Sequence, residues 1–125
     1  RKKLNFGHTL GHAIESHFLA TQNPVYHGEA VAAGMLMESF VSQRVCGLSE
    51  KDFNSICTMT DSIFKRVLIS ELDWIEIKKL LVYDKKNTKG NTQFVLLSKL
   101  GEAVIDQQVS QELLDKAFAF YGTKS

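Results

Sequence analysis

The chain has 125 residues, 44% hydrophobic and 23% charged, with 15 Lys and Arg against 14 Asp and Glu for a formal net charge of +1. That is one domain of ordinary globular composition, and the near balance of charge removes any global electrostatic case for nucleic acid or an anionic membrane. Two cysteines, Cys46 and Cys57, make no disulfide framework and no zinc-knuckle spacing, which fits a reducing, cytoplasmic setting. No apolar run approaches the ~20 residues of a membrane span, and no signal peptide is visible. The first residues, Arg1, Lys2, Lys3, Leu4 and Asn5, include no initiator methionine, so the chain reads as a fragment or a processed product.

In chain order, Leu4 to Leu19 reads as a helix with Leu10, Ala13, Ile14 and Phe18 on its apolar side. Pro24 closes the segment after it, because the residue before a proline is pushed out of helical geometry. A second helix follows from Gly28 to Val45, with Val31, Met35, Phe40 and Val45 among its apolar positions and small residues near its start. Gly47 is its expected stop. Ser49 with Asp52 resembles a capping box that opens a third helix from Glu50 to Leu68, its apolar side including Phe53, Ile56, Cys57, Ile63, Phe64 and Val67. Asp73 is the expected cap of a helix from Trp74 to Tyr83, with Ile77, Leu80 and Leu81 inward. The polar, lysine-rich stretch from Asp84 to Asn91 reads as loop. Thr92 to Ser98 and Glu102 to Asp106 form the only β-like runs, a hairpin joined through Gly101. Ser110 then caps a last helix through Phe120, stopped by Gly122. The fold class is mainly α, with one small hairpin.

All four histidines, His8, His12, His17 and His27, fall within the first 27 residues. His8 and His12 are four apart, so on a helix they project from one face and can converge on one ion or ligand. Gly7, Gly11, Gly28 and Gly34 flank the histidines. Glycine inside a helix costs about 1 kcal/mol relative to alanine, so this clustering points to backbone closely approached by another helix or a ligand. Spacing alone does not make a metal site: a histidine near others is more often a core or surface residue, and no glutamate stands between His8 and His12 to make a zincin signature. His12 by itself reads equally as a ligand or a packing residue, and Lys85 in a lysine pair reads as solvated.

Taken together, Arg1, Asn5, Gly7, His8, Thr9, Gly11, His12, Ala13 and Glu15, then His27, Gly28, Glu29, Ala30, Val31, Ala32, Gly34 and Met35, resemble the motifs of 3-dehydroquinate synthase. A third block, Asp84, Lys85, Lys86 and Asn87 with Gly90, Phe94 to Leu97 and Gly101, follows in that family's order. The resemblance implies a helical C-terminal domain over residues 1–125, with the family's NAD-binding N-terminal domain ahead of Arg1. It implies conversion of 3-deoxy-D-arabino-heptulosonate 7-phosphate to 3-dehydroquinate with release of phosphate, a lyase step of the shikimate route to aromatic amino acids. The implied cofactors are NAD and a divalent metal, zinc or cobalt. The metal would be held by His8, His27 and a glutamate upstream of Arg1; three protein ligands leave a position open for substrate. His12 and Asn5 would contact the phosphate, Arg1 the carboxylate through its planar fork, and Lys85 the phosphate. Glu15 and Glu29 would orient histidines or cap helices, whereas His17 matches no motif and is expected partly exposed. The implied partners are the small sugar-acid phosphate, the chain's own N-terminal domain and a second subunit of a homodimer. The isolated fragment is expected to be inactive. The competing readings are another NAD- and metal-dependent sugar-phosphate cyclase, whose substrate without a carboxylate would not need Arg1, and a non-catalytic helical binding module.

Overall fold

The computed structural model describes the backbone of residues 6–87 and 94–123 and the side chains of 6–82, 94–104 and 107–122. Five helices and one two-stranded antiparallel hairpin make up the described architecture, in the mainly helical class the sequence predicts. The elements are α1 (His8–Leu19), α2 (His27–Val45), α3 (Glu50–Ile63), α4 (Glu71–Asn87), β1 (Phe94–Lys99), β2 (Glu102–Gln107) and α5 (Gln111–Thr123). No helix among the described residues is long and apolar enough to cross a membrane.

Helix α2 is the centre. It packs against α1, α3, α5 and β1, and every residue from Leu36 to Ser42 is buried. A helix enclosed on all sides needs no polar face, which is why apolar and small residues run almost continuously through it. Val45 in its last turn, expected inward, is exposed. The core joins Leu10, Ile14 and Phe18 of α1 to Leu36, Met37 and Val41 of α2, Trp74, Ile77 and Leu81 of α4, Leu96 of β1, and Leu114 and Tyr121 of α5. A smaller cluster of Leu48, Ile56 and Leu97 seats the hairpin over α3. β1 and β2 pair with Leu96 opposite Val104 and Leu97 opposite Ala103. The hydroxyl of Ser42 docks the hairpin on α2: it donates to the Glu38 carbonyl at 2.7 Å and accepts the Leu97 N–H at 2.9 Å.

Several boundaries differ from the sequence expectation, each for a local reason. Helix α1 begins at His8, because Gly7 sits at φ 86°, a left-handed conformation that cannot continue a right-handed helix. Helix α3 starts as expected, the Ser49 hydroxyl accepting the Asp52 N–H at 3.1 Å, but it stops at Ile63 rather than Leu68. Phe64 is extended, and the chain beyond it is captured by α5: Arg66 donates to both oxygens of Asp61 and to the Tyr121 carbonyl, and the Val67 N–H donates to the Tyr121 hydroxyl. Ile63 and Phe64 are consequently exposed.

The cap of α4 is Ser70, not Asp73. The Ser70 hydroxyl accepts the Asp73 N–H at 3.0 Å and Asp73 accepts the Ser70 N–H at 3.0 Å, a capping box with aspartate in the third position. Helix α4 continues through Asp84, Lys85, Lys86 and Asn87, where a loop was expected, since nothing before Gly90 breaks helical geometry. The remainder of that expected loop and the first strand's start at Thr92 lie outside the described residues. Helix α5 is capped by Ser110, whose hydroxyl accepts the Leu113 N–H, and it passes through Gly122 to Thr123.

Candidate metal centre and its supports

Helix α1 buries Leu10, Ala13, Ile14 and Phe18 and leaves His8, His12 and Glu15 on the opposite side. Positions separated by four and three residues share one helical face, so the three polar groups form a single stripe. His27, the first residue of α2, lies beside that stripe, its ring centroid 6.1 Å from that of His8 with the planes inclined at 57°.

The closeness of the two rings follows from glycine. A Cβ at Gly34 would overlap the Gly7 carbonyl oxygen and lie 2.8 Å from the Gly11 nitrogen, while a Cβ at Gly11 would lie 2.9 Å from the Val31 Cα. Backbone therefore meets backbone where α1 crosses α2, and three glycines that the sequence marks as costly are the contact itself.

Ring orientation is set on both histidines. His27 Nδ1 is 2.8 Å from Glu15 Oε1, and His8 Nδ1 is 3.4 Å from the Phe6 carbonyl oxygen. Each contact engages one ring nitrogen and leaves Nε2 for another partner, as a carboxylate or carbonyl behind a metal-bound imidazole does. At 6.1 Å the ring centroids stand farther apart than two imidazoles sharing one ion, so the rings would have to close by about 1 Å to serve as a pair of ligands. The donor set fits a divalent metal on those terms. Among the described residues, no third His, Cys, Asp or Glu completes a cluster with these two.

His12 is exposed one turn beyond His8, with no hydrogen bond among the described residues. Arg1 and Asn5 lie outside the described residues, as does the side chain of Lys85, whose backbone belongs to α4. Glu29 stands in the first turn of α2, where an acidic side chain favours the helix dipole; the carboxylate that reaches His27 is that of Glu15. His17, which matches no motif, is partly exposed as expected and bonded to Asp73 at 2.8 Å, joining the end of α1 to the start of α4. That hydrogen bond is the main reason the Asp73 carboxyl titrates below the ordinary aspartate range. Cys46 and Cys57 are free thiols, and burial pushes the Cys46 thiol up. The surface grooves along α3 at Lys51, Asn54 and Met59, and between α4 and α5 at Ile75 and Gln111, touch no histidine.

Sequence reasoning missed Glu38. It is fully buried in α2, with Oε1 accepting the Gly7 N–H at 2.8 Å and Oε2 accepting the Leu10 N–H at 3.2 Å. Burial pushes its carboxyl up to about 8, while those two N–H groups pull the other way. The available signal was a lone acid amid Leu36, Met37, Phe40 and Val41, a position that solvent cannot satisfy.

The helical arrangement with its hairpin has a counterpart among solved structures. It superposes on ValA (2-epi-5-epi-valiolone synthase) from Streptomyces hygroscopicus subsp. jinggangensis, a structure with NAD+ and Zn2+ bound, with a TM-score of 0.74 at 18% identity over 98% of this chain and 33% of that one. Residues 1–87 match the family model for the C-terminal part of 3-dehydroquinate synthase. The 3-dehydroquinate synthase of Parabacteroides distasonis is 35% identical over 97% of this chain and 34% of its own length, and that of Picrophilus torridus is 39% identical over 91% and 32%. The chain belongs to the 3-dehydroquinate synthase C-terminal family, and it spans about a third of the length of the curated relatives it matches.

Proposed function

We propose that this chain is the metal- and substrate-binding domain of a cytoplasmic 3-dehydroquinate synthase. The protein would act on 3-deoxy-D-arabino-heptulosonate 7-phosphate and release phosphate and 3-dehydroquinate. The observation that carries the reading is the His8–His27 pair, two imidazoles from consecutive helices, each with one nitrogen engaged and Nε2 left over.

His8 and His27 would hold a zinc or cobalt ion, with a third ligand from an NAD-binding N-terminal domain. When bound, the metal supplies Lewis acidity toward a substrate hydroxyl, and NAD supplies a reversible hydride acceptor. Glu15 keeps the His27 ring in one orientation. His12, free on the same stripe, would meet the phosphate, with Asn5 and Lys85 donating to its other oxygens and Arg1 gripping the carboxylate with two parallel N–H groups. Preorganised donors of this kind lower the barrier by stabilising charge as phosphate departs. A homodimer of the complete protein, as the family resemblance implies, belongs to the same proposal.

The test is metal content and turnover of the complete protein. His8→Ala and His27→Ala should each remove most of the bound metal and lower dehydroquinate formation by at least about a hundredfold, the scale of losing a group that acts as part of a unit. The 125-residue chain alone, given NAD and zinc, should form none. Full metal content with normal turnover in either variant would overturn the reading.

A further inference from the structure

The first turn of α1 lacks a cap of its own. A helix begins with N–H groups that have no partner within it, and the residue at the N-cap ordinarily supplies a side-chain oxygen to one of them. Here the N-cap is Gly7, which has no side chain to offer. A capping box satisfies two donors at once, the N–H of the N-cap residue and the N–H three residues on. Those two groups are Gly7 and Leu10, and both bonds come from a single buried carboxylate on another helix: Glu38 Oε1 takes the first at 2.8 Å and Oε2 the second at 3.2 Å.

We propose that Glu38 is a positioning residue for the His8 turn, a capping box delivered from α2 that fixes where α1 starts and how His8 faces His27. The inference rests on the proposed reading of His8 and His27 as metal ligands. A cap from within α1 would stabilise the helix yet leave its rotation against α2 to packing alone. A cap from α2 ties the rotation to the same helix that presents His27, about three turns before Glu38. His8 lies between the two amides that Glu38 holds. The Gly7–Gly34 approach sets the distance between the helices, and Glu38 sets the angle of the turn.

The geometry requires two acceptor oxygens on one side chain. Both contacts are N–H donors, so the side chain must accept on both atoms. Glutamine has the same size, but its amide nitrogen would face an N–H with no acceptor to give. Aspartate keeps the acceptors and falls one methylene short. Neither substitution changes the volume of the site enough to empty the core.

The experiment uses the complete protein as wild type, Glu38→Gln, Glu38→Asp and Met37→Ala, the last a core truncation beside Glu38 that serves as a control for lost stability. Amide exchange is measured at Gly7 to Gly11 and at residues 36–41. Zinc titrations are followed by the ring nitrogen signals of His8 and His27. Glu38→Gln and Glu38→Asp should lower protection at Gly7 and Leu10 by about tenfold relative to residues 36–41. They should also raise the zinc midpoint by about fivefold or more, the scale of losing an orienting outer partner. Met37→Ala should reduce protection evenly and leave the zinc midpoint in place. The proposal is overturned if both Glu38 variants keep protection at Gly7 and Leu10, or if Met37→Ala at equal loss of stability reproduces both effects. If zinc perturbs neither ring in wild type while the exchange pattern is as stated, the metal reading fails and Glu38 still positions the turn.

Discussion

Where α1 meets α2 the contact is backbone on backbone; where α3, α4 and α5 meet it is side chain on side chain. Gly7, Gly11 and Gly34 let the first pair of helices approach until peptide groups touch, so the distance between them is set by van der Waals contact of main-chain atoms. The second region is fastened by polar locks. Arg66 forks onto Asp61 and reaches the Tyr121 carbonyl, Trp74 Nε1 donates to Asp115 at 2.9 Å while stacking on Phe118, and Lys78 reaches the same aspartate at 2.7 Å. A lock of long side chains yields by rotamer, whereas touching backbones can only separate. The exposed histidines stand on the unyielding contact, as a site needing two nitrogens at a fixed spacing requires.

Alanine in place of glycine should expose that contrast most strongly. Gly34→Ala gains about 1 kcal/mol of helix propensity but forces two backbones apart, and the net loss should be about 3 kcal/mol in urea unfolding. A variant as stable as wild type would mean the crossing has slack. Breaking the lock at Arg66 should cost less. Arg66→Ala leaves Asp61 and the Tyr121 carbonyl to solvent at a partly buried site, for a loss of about 2 kcal/mol, and the His8–His27 arrangement should be untouched. A double-mutant cycle with Asp61→Ala checks that the loss belongs to the pair.

The His17–Asp73 bond between the regions makes a smaller, pH-dependent contribution. The carboxyl of Asp73 lies below the ordinary value of 3.8, chiefly because His17 bonds it. A depressed carboxyl stabilises the fold above its unfolded pKa and loses that contribution as pH falls through the folded one. Asp73→Asn should therefore cost up to about 1 kcal/mol at neutral pH and progressively less below about pH 4, in unfolding curves across that range. The smallest expected change has the opposite sign to the first. At Gly122, in the last turn of α5, a Cβ meets nothing within 4 Å, so Gly122→Ala should raise stability by a few tenths of a kcal/mol.

The helices were legible in the sequence where one face alone meets the core. Leu10, Ala13, Ile14 and Phe18 of α1 are buried as their spacing predicts, and the Ser49 and Ser110 caps and the hairpin are present. The expectation failed where another element decides. Phe64 and Val67 continue the period of α3, but Tyr121, 55 positions from Arg66 and 54 from Val67, takes that segment out of the helix. Asp73 was expected as the cap of α4, and only the reciprocal bond shows that Ser70 is the cap and Asp73 its partner. In the site, the nearness of His8 and His27 was implied by family resemblance rather than by spacing. Glu38 stands out as an acid within an apolar run, but no local pattern names its partner.

The enclosure of α2 also bears on how far this chain can drift. From Leu36 to Ser42 no side chain reaches water, so each of seven consecutive codons answers to a neighbour on α1, α3, α5 or β1. Tolerated change there has to come as pairs, one residue in α2 and another in the element it touches. The outer face of α3, with Lys51, Asn54, Ser55 and Thr58 in solvent, can vary one residue at a time. Lineages of this domain would then diverge quickly on that rim while α2 changes slowly and in concert with its surroundings.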